Sequence, residues 1–159
     1  MTKPGTGSRL RIRRRRMEAQ DILAYCLKKP GAWLDYPFGA VPQCVKVGRR
    51  LFAQLYPRPK DYKITLNCDP MTADFYRQRY PGVVIPGYHC PPVQQPHFNT
   101  VWLNGMVPDA VLREMIDHAY AVVLAKHTRR DQEEILAGRM VGTPRPIVSR
   151  ALRGRKEEP

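Results

Sequence analysis

Residues 62–80 read YKITLNCDPMTADFYRQRY. Tyr62, Ile64 and Leu66 alternate with Lys63, Thr65 and Asn67, the period of two that a half-buried strand needs. The alternation stops at Asp69-Pro70. An aspartate there can accept hydrogen bonds from the first free amides of a helix, and proline suits the first helical position because that N–H has no partner. Met71 and Phe75, with Tyr76 and Tyr80 beside them, follow at helical spacing until Pro81-Gly82 ends the helix. A strand running directly into a capped helix is the corner around which the other segments must pack.

Upstream, Ala19, Ile22, Leu23, Cys26 and Leu27 fall on one face of a helix that begins near Met17 and ends at Pro30-Gly31. Glu18 and Asp21 stand early in it and Lys28-Lys29 late, the order that complements the helix dipole. Residues 32–42 read as a connecting loop. Strands are expected at 43–47 and 51–56, as a hairpin around Gly48-Arg49-Arg50, and the turn at 57–61 delivers the chain to the organising strand. Downstream, Val83-Val84-Ile85 suggests a short edge strand closed by Pro86. The proline-bearing segment 90–98 reads as loop and 99–103 as a further strand. A last long helix from Pro108 carries Leu112, Met115, Ile116, Ala119 and Val123 on its buried stripe. The order predicts a two-layer α+β domain, an antiparallel sheet with helices packed on one face. Its expected limits are residues 17–125, between a disordered basic arm (1–16) and a mostly flexible basic tail (126–159) with a short helix near 132–137.

Charge is distributed very unevenly. Of the 27 Lys/Arg residues in 159, seven lie in residues 1–16 with no acid among them. Nine more lie in residues 126–159 against five acids, so the segment between is close to neutral although the whole chain is +13. Such ends favour polyanions as partners and oppose packing. No apolar run is long enough to cross a bilayer, and no apolar core follows the N-terminal charges as in a secretory signal. The expectation is a cytoplasmic protein whose four cysteines are free thiols. Neither CxxC nor HxxxH occurs, so no metal site is expected. No P-loop, GxGxxG or GxSxG is present, so no cofactor and no catalytic residues are assigned, and the chain is read as a non-enzyme.

Arg9, Arg11, Arg13, Arg14, Arg15 and Arg16 are the leading candidates for function. Guanidinium groups pair bidentately with phosphate, and neutralising backbone phosphates gives a salt-dependent, sequence-independent affinity. Arg49 and Arg50 at a hairpin tip, and Lys63 on the sheet, are assigned weaker orienting contacts. The partner expected is DNA, with RNA also compatible, and the default state is a monomer. The alternative is a small-ligand or protein-interaction module using Tyr88, His89, His97 and Phe98, where aromatics beside basic groups could stack on a ligand. The same residues also serve as plain loop anchors.

The pieces PGAWLDYPFG (30–39), KVGRRLFA (46–53), ITLNCDP (64–70), RYPGVVIPGYH (79–89), FNTVWL (98–103) and VPDAVLREMIDHAYAVV (107–123) together resemble the MmcQ/YjbR family, in family order. The resemblance implies a frataxin-like α+β domain of the type called a double-wing DNA-binding domain. Asn67 stands where that family commonly has lysine, and Cys90-Pro91-Pro92-Val93 stands where it commonly has an Asn-Lys pair. Two lysines that could have met phosphate are thus absent, which shifts the expected contacts toward the arm.

Overall fold

A computed structural model describes residues 16–139. Helix α1 (Ala19–Leu27) leads into β1 (Ala32–Asp35), β2 (Gln43–Val47), β3 (Arg50–Arg58) and β4 (Asp61–Asn67). Helix α2 (Pro70–Arg79), β5 (Val84–Pro86), a 3-10 turn (Gln95–His97) and β6 (Phe98–Trp102) follow, then α3 (Asp109–Leu124) and α4 (Arg129–Leu136). The six strands lie in the order β1-β2-β3-β4-β6-β5, and every neighbouring pair is antiparallel.

The organising corner forms as its residues dictate. Asp69 caps α2, its carboxylate accepting from the amides of Met71 (3.0 Å) and Thr72 (3.1 Å), with Pro70 in the first turn. On β4, Ile64 and Leu66 stand opposite Leu55 and Ala53 of β3 and Val101 and Asn99 of β6. This row packs under α1 and α3, whose Ile22, Cys26, Leu112, Met115, Ile116, Ala119 and Val123 complete the core. Asn99 ties α2 to the same face: it accepts from Arg77 Nε (2.7 Å) and donates to the Ala73 carbonyl (3.2 Å). Helices α1, α2 and α3 therefore lie on one side, as the alternation requires.

Two expectations need correction. Residues 32–35 are an edge strand, not loop: they pair with Cys44–Val47, and Trp33 Nε1 donates to the Gly48 carbonyl at 2.9 Å. Four residues with two large side chains carry too short a pattern to reveal a period of two. The domain does not end at residue 125 either. Helix α4 is capped by the Thr128 hydroxyl and buries Ile135 completely. Ile135 and the Arg139 carbonyl close over Gly31, where a methyl group would come within 2.9 Å of Ile135 Cγ2 and φ is +73°. On α2, Met71 and Phe75 are 82% and 58% exposed, while Ala73 is buried.

Candidate nucleic-acid interface

The helices sort the charge of the folded domain. Met17 N donates to Asp109 at 3.0 Å, Tyr25 Oη donates to Asp117 at 2.7 Å, and Tyr120 Oη donates to the Pro30 carbonyl at 2.7 Å. These contacts ascend together, so α1 and α3 run in the same direction and their N-termini lie at the same end of the sheet. Glu18, Asp21 and Asp109 sit at that end, complementing the positive ends of both dipoles. The C-terminal end carries exposed Lys28 and Lys126. The β2–β3 turn with exposed Arg49 and Arg50 belongs to this second end, because Ala32 beside Gly31 pairs with Val47. The start of α4 adds exposed Arg129 and Arg130 to the part of the molecule that closes over Gly31.

Arg16, the last arginine of the basic run, lies at the opposite end. A methyl group on Gly105 would fall within 2.1 Å of its guanidinium, so the side chain rests directly on that glycine. Together with Met17, Glu18, Pro57, Pro59, Tyr62, Leu103 and Asp109 it lines a cleft of about 500 Å³. Burial, and then Glu18, push the Tyr62 hydroxyl above its usual range. The exposed cations of the adjacent β3–β4 turn are Arg58 and Lys60, which sequence reasoning passed over as turn residues. Arg9, Arg11, Arg13, Arg14 and Arg15 lie outside the described residues.

Lys63 is not available to a phosphate, contrary to its assigned orienting contact. Its side chain is 0% exposed, and Asp61 pairs with the ammonium. The rings of Tyr56, Tyr88 and Trp102 surround it, with centroids 4.3, 4.0 and 5.2 Å away. Alternation put Lys63 on the face opposite the helices correctly. What it could not show was that the segment after β5 folds back over that face. Tyr88 N donates to Thr100 Oγ1 at 2.7 Å, and Thr100 Oγ1 shares a 2.7 Å hydrogen bond with Thr65 Oγ1. A buried ammonium is tolerated because one carboxylate and three ring faces replace its water. Lys46 repeats the arrangement further along the sheet, paired with Asp35 at 2.8 Å and 5.4 Å from the Trp33 centroid.

The structure divides the Tyr88, His89, His97 and Phe98 group. Tyr88 is a wall of the Lys63 cage, with His89 against it at 4.0 Å between centroids. His89 has φ 61°, and Gly87 packs so tightly that an added methyl would come within 2.6 Å of Cys90 Sγ and 2.7 Å of Phe98 Cβ. His97 and Phe98 offer backbone carbonyls: the first accepts from Cys68 N (2.9 Å), the second from Arg77 Nη2 (2.9 Å) and Gly87 N (3.0 Å). These residues fix the loop. The sizeable cleft is at Arg16 instead, which no local motif marks because its lining comes from three separated stretches, 16–22, 57–62 and 102–112.

Burial holds three thiols far above their usual range: Cys26 and Cys68 to about 12, Cys44 to about 11. Among the described residues no group of three His, Cys, Asp or Glu is placed to hold a metal, and no helix is long and apolar enough to cross a membrane.

A family model described as YjbR matches residues 27–122. The chain is 29% identical over 104 residues to the uncharacterised protein YjbR of Escherichia coli strain K12, covering 65% of this chain and 85% of that one. It is 28% identical over 112 residues to the uncharacterised protein YbdF of Escherichia coli O157:H7, covering 70% and 88%. A solved Deinococcus radiodurans structure with a DUF419 domain superimposes with a TM-score of 0.68 at 26% identity, over 80% of this chain and 96% of that one. A Pseudomonas syringae structure at 22% identity shares the fold with a TM-score of 0.56, over 67% and 99%.

Proposed function

The chain belongs to the YjbR family, and on that scaffold we propose a non-catalytic, cytoplasmic nucleic-acid-binding protein whose main partner is DNA. One observation carries the reading: positive charge is concentrated outside residues 16–139. Residues 16–139 hold 16 Lys/Arg against 12 acids, +4 of a total of +13. Within that body Lys29, Lys46 and Lys63 are paired with Asp117, Asp35 and Asp61. Cations left without acids in a short run attract a phosphate backbone and displace its counterions. The arginine arm supplies most of the affinity, and exposed Arg49 and Arg50 add contacts from a rigid turn.

The test is a fluorescence-anisotropy titration of duplex DNA and single-stranded RNA by the full chain across a salt series. Binding that weakens steeply with salt, and is tighter for duplex DNA, supports the reading. Absence of binding at low salt to either polymer would remove it. A second reading attaches to the cleft at Arg16: its volume and its mostly apolar lining with Glu18, Asp109 and Arg16 suit a small ligand. That reading expects a saturable small-molecule response that does not change when the arm arginines are neutralised.

A further inference from the structure

The cleft at Arg16 is mostly apolar, and the nucleic-acid reading gives it no task. Met17, Ile22, Pro57, Pro59, Leu103 and Val107 form its sides, and its volume of about 500 Å³ is that of a small-molecule site. The charges around it are not equivalent. Each nearby carboxylate is already engaged by a main-chain amide. Glu18 and Asp21 form a capping box, Asp21 accepting from Glu18 N at 2.9 Å, and Asp109 accepts from Met17 N at 3.0 Å. These acids also stand at the positive ends of α1 and α3, which offset them in part. Asp61 of the β3–β4 turn is taken by Lys63, and Glu114 of α3 lies near Tyr76 on the α2 side. The cations are left over. Among the described residues none of Arg16, Arg58, Lys60 and Arg113 forms an ion pair. The Arg16 guanidinium rests on Gly105 at the cleft, Arg58 and Lys60 are exposed on either side of Pro59, and Arg113 Nη1 stands 3.6 Å from Met17 Sδ.

The charge also has a direction. Beyond burial, Glu18, Asp21 and Asp109 push the Tyr62 hydroxyl up and Arg16 alone pulls it down. An anion is therefore repelled at Tyr62 and accepted at Arg16, whose fork of N–H donors matches a carboxylate. We infer that the cleft binds a small carboxylic acid with an apolar, ring-sized body, the body lying between the Pro57–Pro59 turn and Leu103–Val107 and the carboxylate pairing with Arg16. This rests on the small-ligand reading of the cleft and narrows it at one residue. A neutral ligand is indifferent to Arg16; an acid is not.

The experiment compares three ligands that share one apolar body: naphthylacetate, naphthylethanol and naphthylethylamine. Each is titrated into the full-length protein at neutral pH while backbone amide NMR shifts are followed. The acid is expected to bind about fivefold or more tighter than the alcohol or the amine, and to shift the amides of Ala19, Leu103 and Gly105. Arg16→Gln changes an exposed side chain. It should weaken the acid by about fivefold or more and leave the alcohol within about twofold. Three results would each overturn the inference while sparing the cleft as a ligand site: acid and alcohol binding alike, the amine binding tightest, or the acid unaffected by Arg16→Gln. Absence of shifts at these amides with all three ligands at millimolar concentration would remove the small-ligand reading together with the inference.

Discussion

The two ends of the sheet are built from the same pieces, a β-turn and a pair of helix termini, yet they differ in charge. At the β3–β4 end the helices begin, so Glu18, Asp21 and Asp109 gather there, and the arginine arm is rooted among acids. At the β2–β3 end α1 and α3 finish and α4 begins, so Lys28 and Lys126 join Arg49, Arg50, Arg129 and Arg130, with Asp131 and Glu133 of α4 among them. Parallel packing of α1 and α3 aligns two dipoles, and each recruits the charges that complement it. A count of basic residues therefore says little about where a polyanion can sit. Lys63 and Arg50 belong to adjacent strands, and one is sealed among aromatic rings while the other stands at an exposed tip.

The largest test of this contrast is to neutralise the arm. Replacing Arg9, Arg11, Arg13, Arg14, Arg15 and Arg16 with serine should weaken duplex binding about 100-fold or more at moderate salt, because six phosphate contacts and their released counterions are lost. The R49S/R50S pair should cost far less, about two- to fivefold in the same anisotropy assay, with the salt slope reduced by up to about 2.

The remaining tests act on the fold at each end. Gly31→Ala forces a β-carbon against Ile135 at φ +73°. It should destabilise the domain by about 2 kcal/mol in urea unfolding by loosening α4 from the basic end. Asp69→Ala should cost about 1 kcal/mol, as expected for loss of a helix cap. The Thr72 hydroxyl, its amide, His118 and the Met71 amide hold the Asp69 carboxyl below its usual range. Its contribution is thus present at neutral pH and lost as pH falls through the folded value, below about pH 4. Stability of the wild type should fall there more steeply than that of Asp69→Asn. The smallest effect belongs to Lys63→Met, which keeps the cage filled and leaves Asp61, 41% exposed, able to hydrate. Stability should change by less than about 1.5 kcal/mol, and duplex affinity should stay within about twofold. A larger loss of affinity would return Lys63 to the interface.

What was legible in the sequence follows from how local each signal is. The β4–α2 corner, the meander and the long helix each carry their period or cap within a few neighbouring residues. The antiparallel sheet with helices on one side followed from them. Strand β1 and helix α4 were missed or left outside the domain because their stability comes from distant partners, Val47 for one and Gly31 for the other. The cage is a more extreme case. Tyr56, Lys63, Tyr88 and Trp102 come from four segments and meet only after the loop following β5 folds back. Arg49 and Arg50 could be read as exposed because a two-stranded turn has nowhere else to put them.

The central claim is that affinity for nucleic acid resides in the charges at the ends of the chain and not in the sheet. Its most direct test is the dependence of log Kd on log salt for duplex DNA, compared between the full chain and the six-serine arm variant. Six contacts at about 0.9 each predict a slope shallower by up to about 5 in the variant, with affinity falling in step. Equal slopes and equal affinities would contradict the account and place the binding surface on the folded domain.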